Sequence, residues 1–259
     1  AYNNLGIIYK ELGQLDDAVK YYEQAIALQP DYAEAHNNLG TTFQEMGQLD
    51  EAVNCYEKAL VIQPDYVEVH NNLGNTFNLL GQNDEALNSY KQVLSINPDS
   101  ADAHNNIGII YQEISQVEEA INYYKKVIAI NPEHAEANNN LGACHYGLEQ
   151  FEAAVKNYRK AIAINPDYDE AHFNLGTSLN KLGQSDEALN SFKQTLIINP
   201  DFADAYNSIG MILRELGQTD EAFSSFVHAV ALDPGNTEYH LNLALMKNYI
   251  KADTQLIQM

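Results

Sequence analysis

Asparagine recurs at one fixed interval along this chain of 259 residues. Members of the set lie 34 residues apart, except where Ser208 takes the place of one: Asn4, Asn38, Asn72, Asn106, Asn140, Asn174 and Asn242. A carboxamide group is both a hydrogen-bond donor and an acceptor, so it can pair with the N–H and the C=O of an extended peptide together. If these side chains lie in one row, they predict binding of a polypeptide backbone without selection of its side chains.

Histidine and cysteine, which could bind a metal or react, are not arranged as a site. Five histidines share a second register of the same interval: His36, His70, His104, His172 and His240. Helices packed side by side lie about 8–10 Å apart, so equivalent histidines cannot share one zinc ion. Cys55 and Cys144 are remote from each other and neither lies in a C-x-x-C pair, which favours a reducing compartment, the cytoplasm. Because no phosphate-binding loop or metalloprotease motif occurs either, we expect no catalytic residue, metal or cofactor in this segment.

Proline marks the boundaries of the helical elements that must position the asparagines. All seven prolines lie 34 residues apart, at Pro30, Pro64, Pro98, Pro132, Pro166, Pro200 and Pro234. A proline costs about 3 kcal/mol inside a helix, so these residues mark the boundaries of helical repeats. Between them, apolar residues follow the i, i+3, i+4, i+7 spacing in two stretches, and the break between the stretches is usually glycine. The sequence therefore predicts one helical hairpin per repeat.

The closest packing is expected at three positions of each hairpin. We count repeat positions from 1 to 34, with Ala33 at position 1 of the second repeat and proline at position 32. Glycine occupies position 8 in the first seven copies, alanine occupies position 20 and an aromatic residue occupies position 24. Glycine inside a helix costs up to about 1 kcal/mol relative to alanine. We therefore expect a neighbouring helix to approach position 8 closely, with the alanine at position 20 in the same contact.

This pattern resembles the tetratricopeptide repeat (TPR), which has Leu-Gly at positions 7 and 8, alanine at 20 and 27, an aromatic residue at 24 and proline at 32. The resemblance covers residues 1–244. It implies an all-α fold, a right-handed α-solenoid of stacked hairpins whose first helices line a concave groove. We predict seven repeats over residues 1–236, the first truncated, and a C-terminal partial repeat, capping helix or linker over residues 237–259. Ser115 and Glu149 replace the turn glycine and His145 replaces an aromatic residue, so those repeats are expected to turn at a slightly different angle.

The resemblance places the asparagine row, at position 6, on the inner wall of the groove. The row is similar to one in the superhelical repeats of O-linked N-acetylglucosamine transferases, which use it to hold acceptor polypeptides. Asparagine at this position is also common across the TPR family, so a structural role is left open. Some TPR proteins clamp a carboxylate with lysines at position 5, but position 5 has asparagine, Phe173 or Leu241 in this chain.

The charge of the chain is strongly negative, with 36 acidic residues and a net charge of -22. Of these residues, 26 lie at positions 2, 18, 19 and 33, near expected helix starts. We expect them to cap free N–H groups and to offset the helix dipole. The charge disfavours nucleic acid and membrane surfaces as partners, and no apolar run is long enough for a membrane span. In the groove it favours a neutral or basic peptide.

Three functions are compatible with these features. The first is a non-catalytic scaffold that binds an extended polypeptide in the asparagine-lined groove. The second is the substrate-presenting arm of a sulfotransferase or glycosyltransferase whose catalytic domain is absent, because the tail after Ala244 resembles the linker after the repeats in bacterial TPR–sulfotransferase fusions. The third is a module for self-association into a homo-oligomer. The apolar pattern of Leu256, Ile257 and Met259 fits a capping helix as well as a linker.

Overall fold

The computed structural model of the chain describes residues 1–257, with side chains to Asn248, and these residues form fifteen α-helices. In chain order the helices are α1 (Tyr2–Glu11), α2 (Leu15–Leu28), α3 (Ala33–Glu45), α4 (Leu49–Ile62), α5 (Val67–Leu79), α6 (Asn83–Ile96), α7 (Ala101–Glu113), α8 (Val117–Ile130), α9 (Ala135–Gly147), α10 (Phe151–Ile164), α11 (Asp169–Lys181), α12 (Ser185–Ile198), α13 (Ala203–Glu215), α14 (Thr219–Leu232) and α15 (Thr237–Ile257). From α3 onward, the odd-numbered helices begin 34 residues apart, at position 1 of each repeat. The predicted all-α solenoid of helical hairpins is confirmed.

Two compact units make up the chain, residues 1–131 and the residues from Pro132 onward. Within each unit, a helix packs most closely on the helices before and after it. The first and second helix of a repeat therefore form a hairpin, and the hairpins stack in chain order. A stack of this kind buries apolar surface only between neighbours and has no central core.

Each hairpin is closed by an aromatic ring that lies against a glycine. The rings at position 24 are almost fully buried: Tyr22, Tyr56, Tyr90, Tyr124, Tyr158, Phe192 and Phe226. A Cβ atom added to Gly40 would lie 2.7 Å from Cε1 of Tyr56, and the distance from Gly176 to Phe192 is the same. The expected close approach at position 8 is thus present, but its partner is the ring at position 24 rather than the alanine at position 20.

The turn inside each hairpin has one residue in the left-handed region. Gly13 and Gly47 have φ of 72° and 75°, while Ser115 and Glu149 adopt the same conformation with φ of 62° and 57°. The N–H of Ser115 bonds to the Gln112 carbonyl at 3.0 Å, as the N–H of Gly13 does to its own partner at 2.9 Å. The two turns that lack glycine therefore keep the geometry of the others. Their backbone is strained, because a Cβ atom lies too close to the following carbonyl oxygen in the left-handed conformation.

The acidic residues at positions 2, 18 and 19 lie in the first turns of the helices but do not cap them with side-chain hydrogen bonds, and those at position 33 lie in the turn before a first helix. The N-cap of each second helix is a glutamine whose side chain makes no capping bond: Gln14, Gln48, Gln82, Gln116, Gln150, Gln184 and Gln218. The side chains that do cap a helix are those of Ser100, His134 and Asn236, at the starts of α7, α9 and α15. The capping prediction is wrong for positions 2, 18 and 19, because these carboxylates lie inside the helix, where they offset its dipole.

The last helix differs from the other first helices. α15 runs for 21 residues, whereas the odd-numbered helices from α3 to α13 run for 13 residues each, and Lys251 occupies the position of the turn glycine. The predicted apolar pattern at the end of the chain lies partly outside the described residues, since Gln258 and Met259 fall beyond them. None of the helices in the described range is long and apolar enough to cross a membrane.

Candidate functional site

First helices of consecutive repeats contact each other. In the first unit α1 contacts α3 and α3 contacts α5, and in the second unit α9 contacts α11 and α13 contacts α15. No two consecutive second helices approach this closely in the described part of the chain. Each unit is therefore curved towards its first helices. We call the solvent side of these helices the first-helix face, and its accessible residues are those at positions 2, 6, 9 and 13.

The asparagines at position 6 lie on this face and are half-buried, apart from the exposed Asn4. Four of them donate a hydrogen bond to the asparagine at position 5 of the preceding repeat. The pairs are Asn38 to Asn3 at 3.1 Å, Asn72 to Asn37 at 3.1 Å, Asn174 to Asn139 at 3.2 Å and Asn242 to Asn207 at 2.9 Å. These bonds join one repeat to the next, and we call them the amide relay.

The relay continues to the glutamates at position 2. Asn3 and Asn37 are buried, and their amide groups donate to Glu34 and Glu68, both at 3.0 Å. Asn3 and Asn37 thus each bind two side chains that are four residues apart on the next first helix, one through the oxygen and one through the nitrogen. These glutamates, predicted to be capping residues, accept hydrogen bonds from the preceding repeat instead.

At one of the steps without a relay bond, both residues of the pair are changed. Phe173 occupies position 5 of the sixth repeat, where its ring packs against Phe202 and Phe192 at centroid distances of 4.9 and 5.4 Å. A phenylalanine offers no oxygen to accept a hydrogen bond, and position 6 of the following repeat is Ser208 instead of asparagine. The identity of the residue at position 6 therefore follows that of its partner one repeat earlier.

Asn106 makes a different contact from the other members of the row. Its amide is 3.4 Å from Oδ1 of Asn75, which also accepts a 2.6 Å hydrogen bond from the Tyr90 hydroxyl. Together with Gln44 and Asn78, these side chains line a cavity of about 320 Å³ on the first-helix face. The first unit therefore has an uncharged, amide-rich recess formed by its second, third and fourth repeats.

The relay leaves part of each amide available to a ligand. In Asn38, Asn72, Asn174 and Asn242 one N–H is used, while the carbonyl oxygen accepts no hydrogen bond from the described residues. Asn4 and Asn140 make no side-chain hydrogen bond within that range, so both of their groups are available. The sequence predicted the row, but the relay that uses four of its seven asparagines was not predicted, because the two partners are 35 residues apart and differ in repeat position.

Comparisons with known proteins assign the repeat. Family models described as TPR repeat match residues 6–47, 42–80 and 74–115, and models described as tetratricopeptide repeat match residues 99–167, 133–198 and 173–237. The chain belongs to the TPR family. Among curated proteins there is no match.

Several solved TPR structures are similar to this chain. MamA is 30% identical to it, and the match covers 62% of this chain and 95% of MamA with a TM-score of 0.59. YrrB, described as a TPR protein with an unusual peptide-binding site, is 23% identical over 76% of this chain and 99% of YrrB, with a TM-score of 0.61. A TPR protein from Parabacteroides merdae is 18% identical over 95% and 97% of the two chains, with a TM-score of 0.71. The last two similarities show the fold alone.

Acidic groups predominate on the first-helix face of these TPR repeats. Glu34 and Glu68 are exposed although they accept relay bonds, and Glu11 and Glu45 lie at position 13. The Lys10 ammonium is 3.0 Å from the Glu45 carboxylate. Because an ion pair neutralises this lysine, it adds no free positive charge to the face, and the negative charge predicted for the groove is retained there.

The periodic histidines have a structural contact in every copy. In each case Nε2 lies close to the carbonyl oxygen of the proline six residues earlier. The distances are 3.1 Å for His36, 2.8 Å for His70 and 3.0 Å for His104, His172 and His240. Among the described residues, no group of three or more histidine, cysteine or acidic side chains could hold a metal ion.

Both cysteines are buried and neither forms a disulfide. Burial disfavours the thiolate and raises the pKa of Cys55 and of Cys144 to about 11. Since the thiolate is the nucleophile, neither residue has the depressed pKa that reactive cysteines require.

Proposed function

We propose that this TPR segment is a protein-binding scaffold that holds an extended polypeptide along its first-helix face. The observation that carries the proposal is the row of position-6 asparagines. Their carbonyl oxygens are unused by the relay and recur once per repeat on an accessible face. The similarity to MamA places the chain beside other TPR proteins, and YrrB has a peptide-binding site by its description.

Recognition in this proposal is directed at the peptide backbone. An amide oxygen accepts a hydrogen bond from a peptide N–H, and the free N–H of the same group donates to a peptide carbonyl. Each such bond contributes about 0.5–1.5 kcal/mol net, and association and ordering costs are of similar size to their sum. Hydrogen bonds from the row alone therefore give weak binding, and groups beside the row add the selectivity.

Charge supplies part of that selectivity. The carboxylates at positions 2 and 13 favour a neutral or basic segment over an acidic one, and lysine-rich peptides should lose affinity as salt screens the attraction. The net charge of -22 also makes nucleic acid and anionic membranes poor partners. Two buried thiols that form no disulfide support the reducing environment of the cytoplasm.

The two other functions that are compatible with the sequence remain predictions. A role as the substrate-presenting arm of a transferase would use the same face to hold the substrate. Self-association would instead use a face of the stack and leave the asparagine row free. For residues 237–257 we propose a capping helix, because α15 continues past the turn position and contacts α13 and α14.

Asn72 and Asn140 separate ligand binding from the relay. Both occupy position 6, but only Asn72 donates to the preceding repeat. We expect Asn72→Ala and Asn140→Ala each to weaken binding of an extended peptide, selected from a random library, by about 2- to 12-fold, which corresponds to one hydrogen bond. Only Asn72→Ala should also lower the melting temperature. Fluorescence anisotropy and calorimetry measure the two effects.

The matched control is Asn122→Ala, which removes an exposed asparagine from the second helix α8. It should change neither affinity nor stability. If Asn140→Ala binds the peptide as well as the unmodified chain does, while Asn72→Ala binds it less well, then the asparagines act only by stabilising the stack and the proposal is wrong.

A further inference from the structure

One space beside the second helices is filled by tyrosine in two repeats. In the first repeat, the ring of Tyr21, at position 23, stacks on Tyr9 and Tyr2 at centroid distances of 4.9 and 6.4 Å. The fourth repeat reproduces this arrangement, with Tyr123 stacked on Tyr111 at 5.5 Å. Position 23 is therefore a place where the hairpin accepts a phenol ring.

The third repeat has the same space without the ring. Ser89 occupies position 23, and a cavity of about 280 Å³ is present beside it. His70 and Phe77, which correspond in repeat position to Tyr2 and Tyr9, line the cavity together with Leu60 and Leu73. We call this cavity the third-repeat slot. It is large enough for one aromatic ring, because an apolar cavity of about 150 Å³ admits benzene.

The rim of the third-repeat slot has two carboxylates in place of an ion pair. Glu57 and Glu85 line the slot, and neither forms an ion pair within the described residues. Three repeats further along the chain, Arg159 and Glu187 occupy the same two repeat positions and are paired at 2.7 Å. The slot thus lacks the cation that balances the equivalent site.

We propose that the third-repeat slot binds an aromatic side chain of a partner polypeptide that lies next to an arginine or lysine. The ring takes the place that tyrosine occupies in the first and fourth repeats, and the cation takes the place of Arg159 beside Glu57 and Glu85. The slot is formed by α4, α5 and α6, and none of its lining residues is at position 2, 6, 9 or 13 of a first helix. This surface is distinct from the first-helix face and does not depend on the function proposed for it.

The experiment compares four probes by chemical-shift titration of the whole chain. They are acetyl-Tyr-Arg-amide, acetyl-Ala-Arg-amide, acetyl-Tyr-Glu-amide and tyramine. We expect acetyl-Tyr-Arg-amide to shift the amide signals of His70, Phe77 and Ser89 and to bind at least tenfold more tightly than each of the others. Equal affinity for the alanine or glutamate peptide would overturn the requirement for a ring or for a cation. Equal affinity for tyramine would overturn the assignment to a polypeptide.

A blocking variant that keeps the fold completes the test. Ser89→Tyr places the chain's own ring in the third-repeat slot, as Tyr21 does in the first repeat, so the melting temperature should be unchanged or higher while acetyl-Tyr-Arg-amide binding is lost. Glu57→Arg should weaken the peptide at least tenfold, because arginine can pair with Glu85. Ser95→Tyr adds the same ring to an exposed site of α6 and should bind the peptide normally. Unchanged binding to Ser89→Tyr would overturn the proposal.

Discussion

At position 8, the absence of a single side-chain carbon makes room for a ring. The aromatic residue at position 24 occupies the volume in which a Cβ atom would lie, at 2.5–2.7 Å in every one of the seven copies. The lower helix propensity of glycine is therefore offset by the burial of an aromatic side chain, which removes a large apolar area from water.

Gly40→Ala should destabilise the fold by about 1–3 kcal/mol, because the ring of Tyr56 or the helix has to move to admit the methyl group. Urea unfolding followed by circular dichroism measures the change. Gly147 provides the control, since it is also helical but has no atom within 4 Å of an added Cβ. Gly147→Ala should be neutral or stabilising by up to about 1 kcal/mol. Equal effects of the two changes would contradict the role of the ring.

At the scale of the helical hairpin, the turn and the relay decide how the elements are joined. Five of the seven turns have glycine in the left-handed conformation, and Ser115 and Glu149 adopt it in the other two. The turn geometry is therefore set by the packing of the two helices rather than by the turn residue. The relay then sets the register between consecutive first helices through paired side chains.

Ser115→Gly should stabilise the chain by about 1 kcal/mol, because glycine adopts φ of 62° without the clash that a Cβ atom causes. The reverse change, Gly81→Ser, should destabilise it by a similar amount at an equivalent turn. Thermal unfolding of both variants gives the comparison. A loss of stability in Ser115→Gly would show that the serine side chain makes a stabilising contact.

The helices were predictable from the sequence because every repeat has the same pattern of residue types. Proline at position 32 and glycine at position 15 gave the boundaries, and the apolar spacing gave the buried faces. The candidate site was predictable only in part. The row of asparagines followed from the register, but the bond from Asn38 to Asn3 depends on how two repeats stack, and no periodicity within a repeat encodes that. The third-repeat slot could not be predicted from the sequence. The cavity beside Ser89 is recognised only by comparison with the first and fourth repeats, in which a tyrosine ring fills the same space.

At the scale of the whole molecule, negative charge is the dominant long-range term. The described residues contain three ion pairs, while the chain has a net charge of -22. Most carboxylates offset helix dipoles locally, but they repel one another along the stack, and compact states with a large net charge are destabilised by self-repulsion.

Raising the NaCl concentration from about 20 mM to about 0.5 M should raise the melting temperature, because salt shortens the range of the repulsion. Differential scanning calorimetry at neutral pH measures the shift. The control is the same titration near the isoelectric point of about 4.5, where the net charge is close to zero and the salt dependence should largely disappear. A melting temperature that falls with salt at neutral pH would indicate that favourable ion pairs outweigh the repulsion.

The amide relay also limits how such a chain can gain or lose repeats. Removal of residues 67–100 would bring Asn37 beside Asn106, a pair of the usual kind. Removal of residues 169–202 would bring Asn139 beside Ser208, whose side chain is too short to reproduce the bond seen from Asn174. Because each matched pair spans 35 residues, no single 34-residue cassette contains both of its members. Duplication or recombination of the sixth or seventh repeat alone therefore creates mismatched neighbours, and these two repeats should be inherited together.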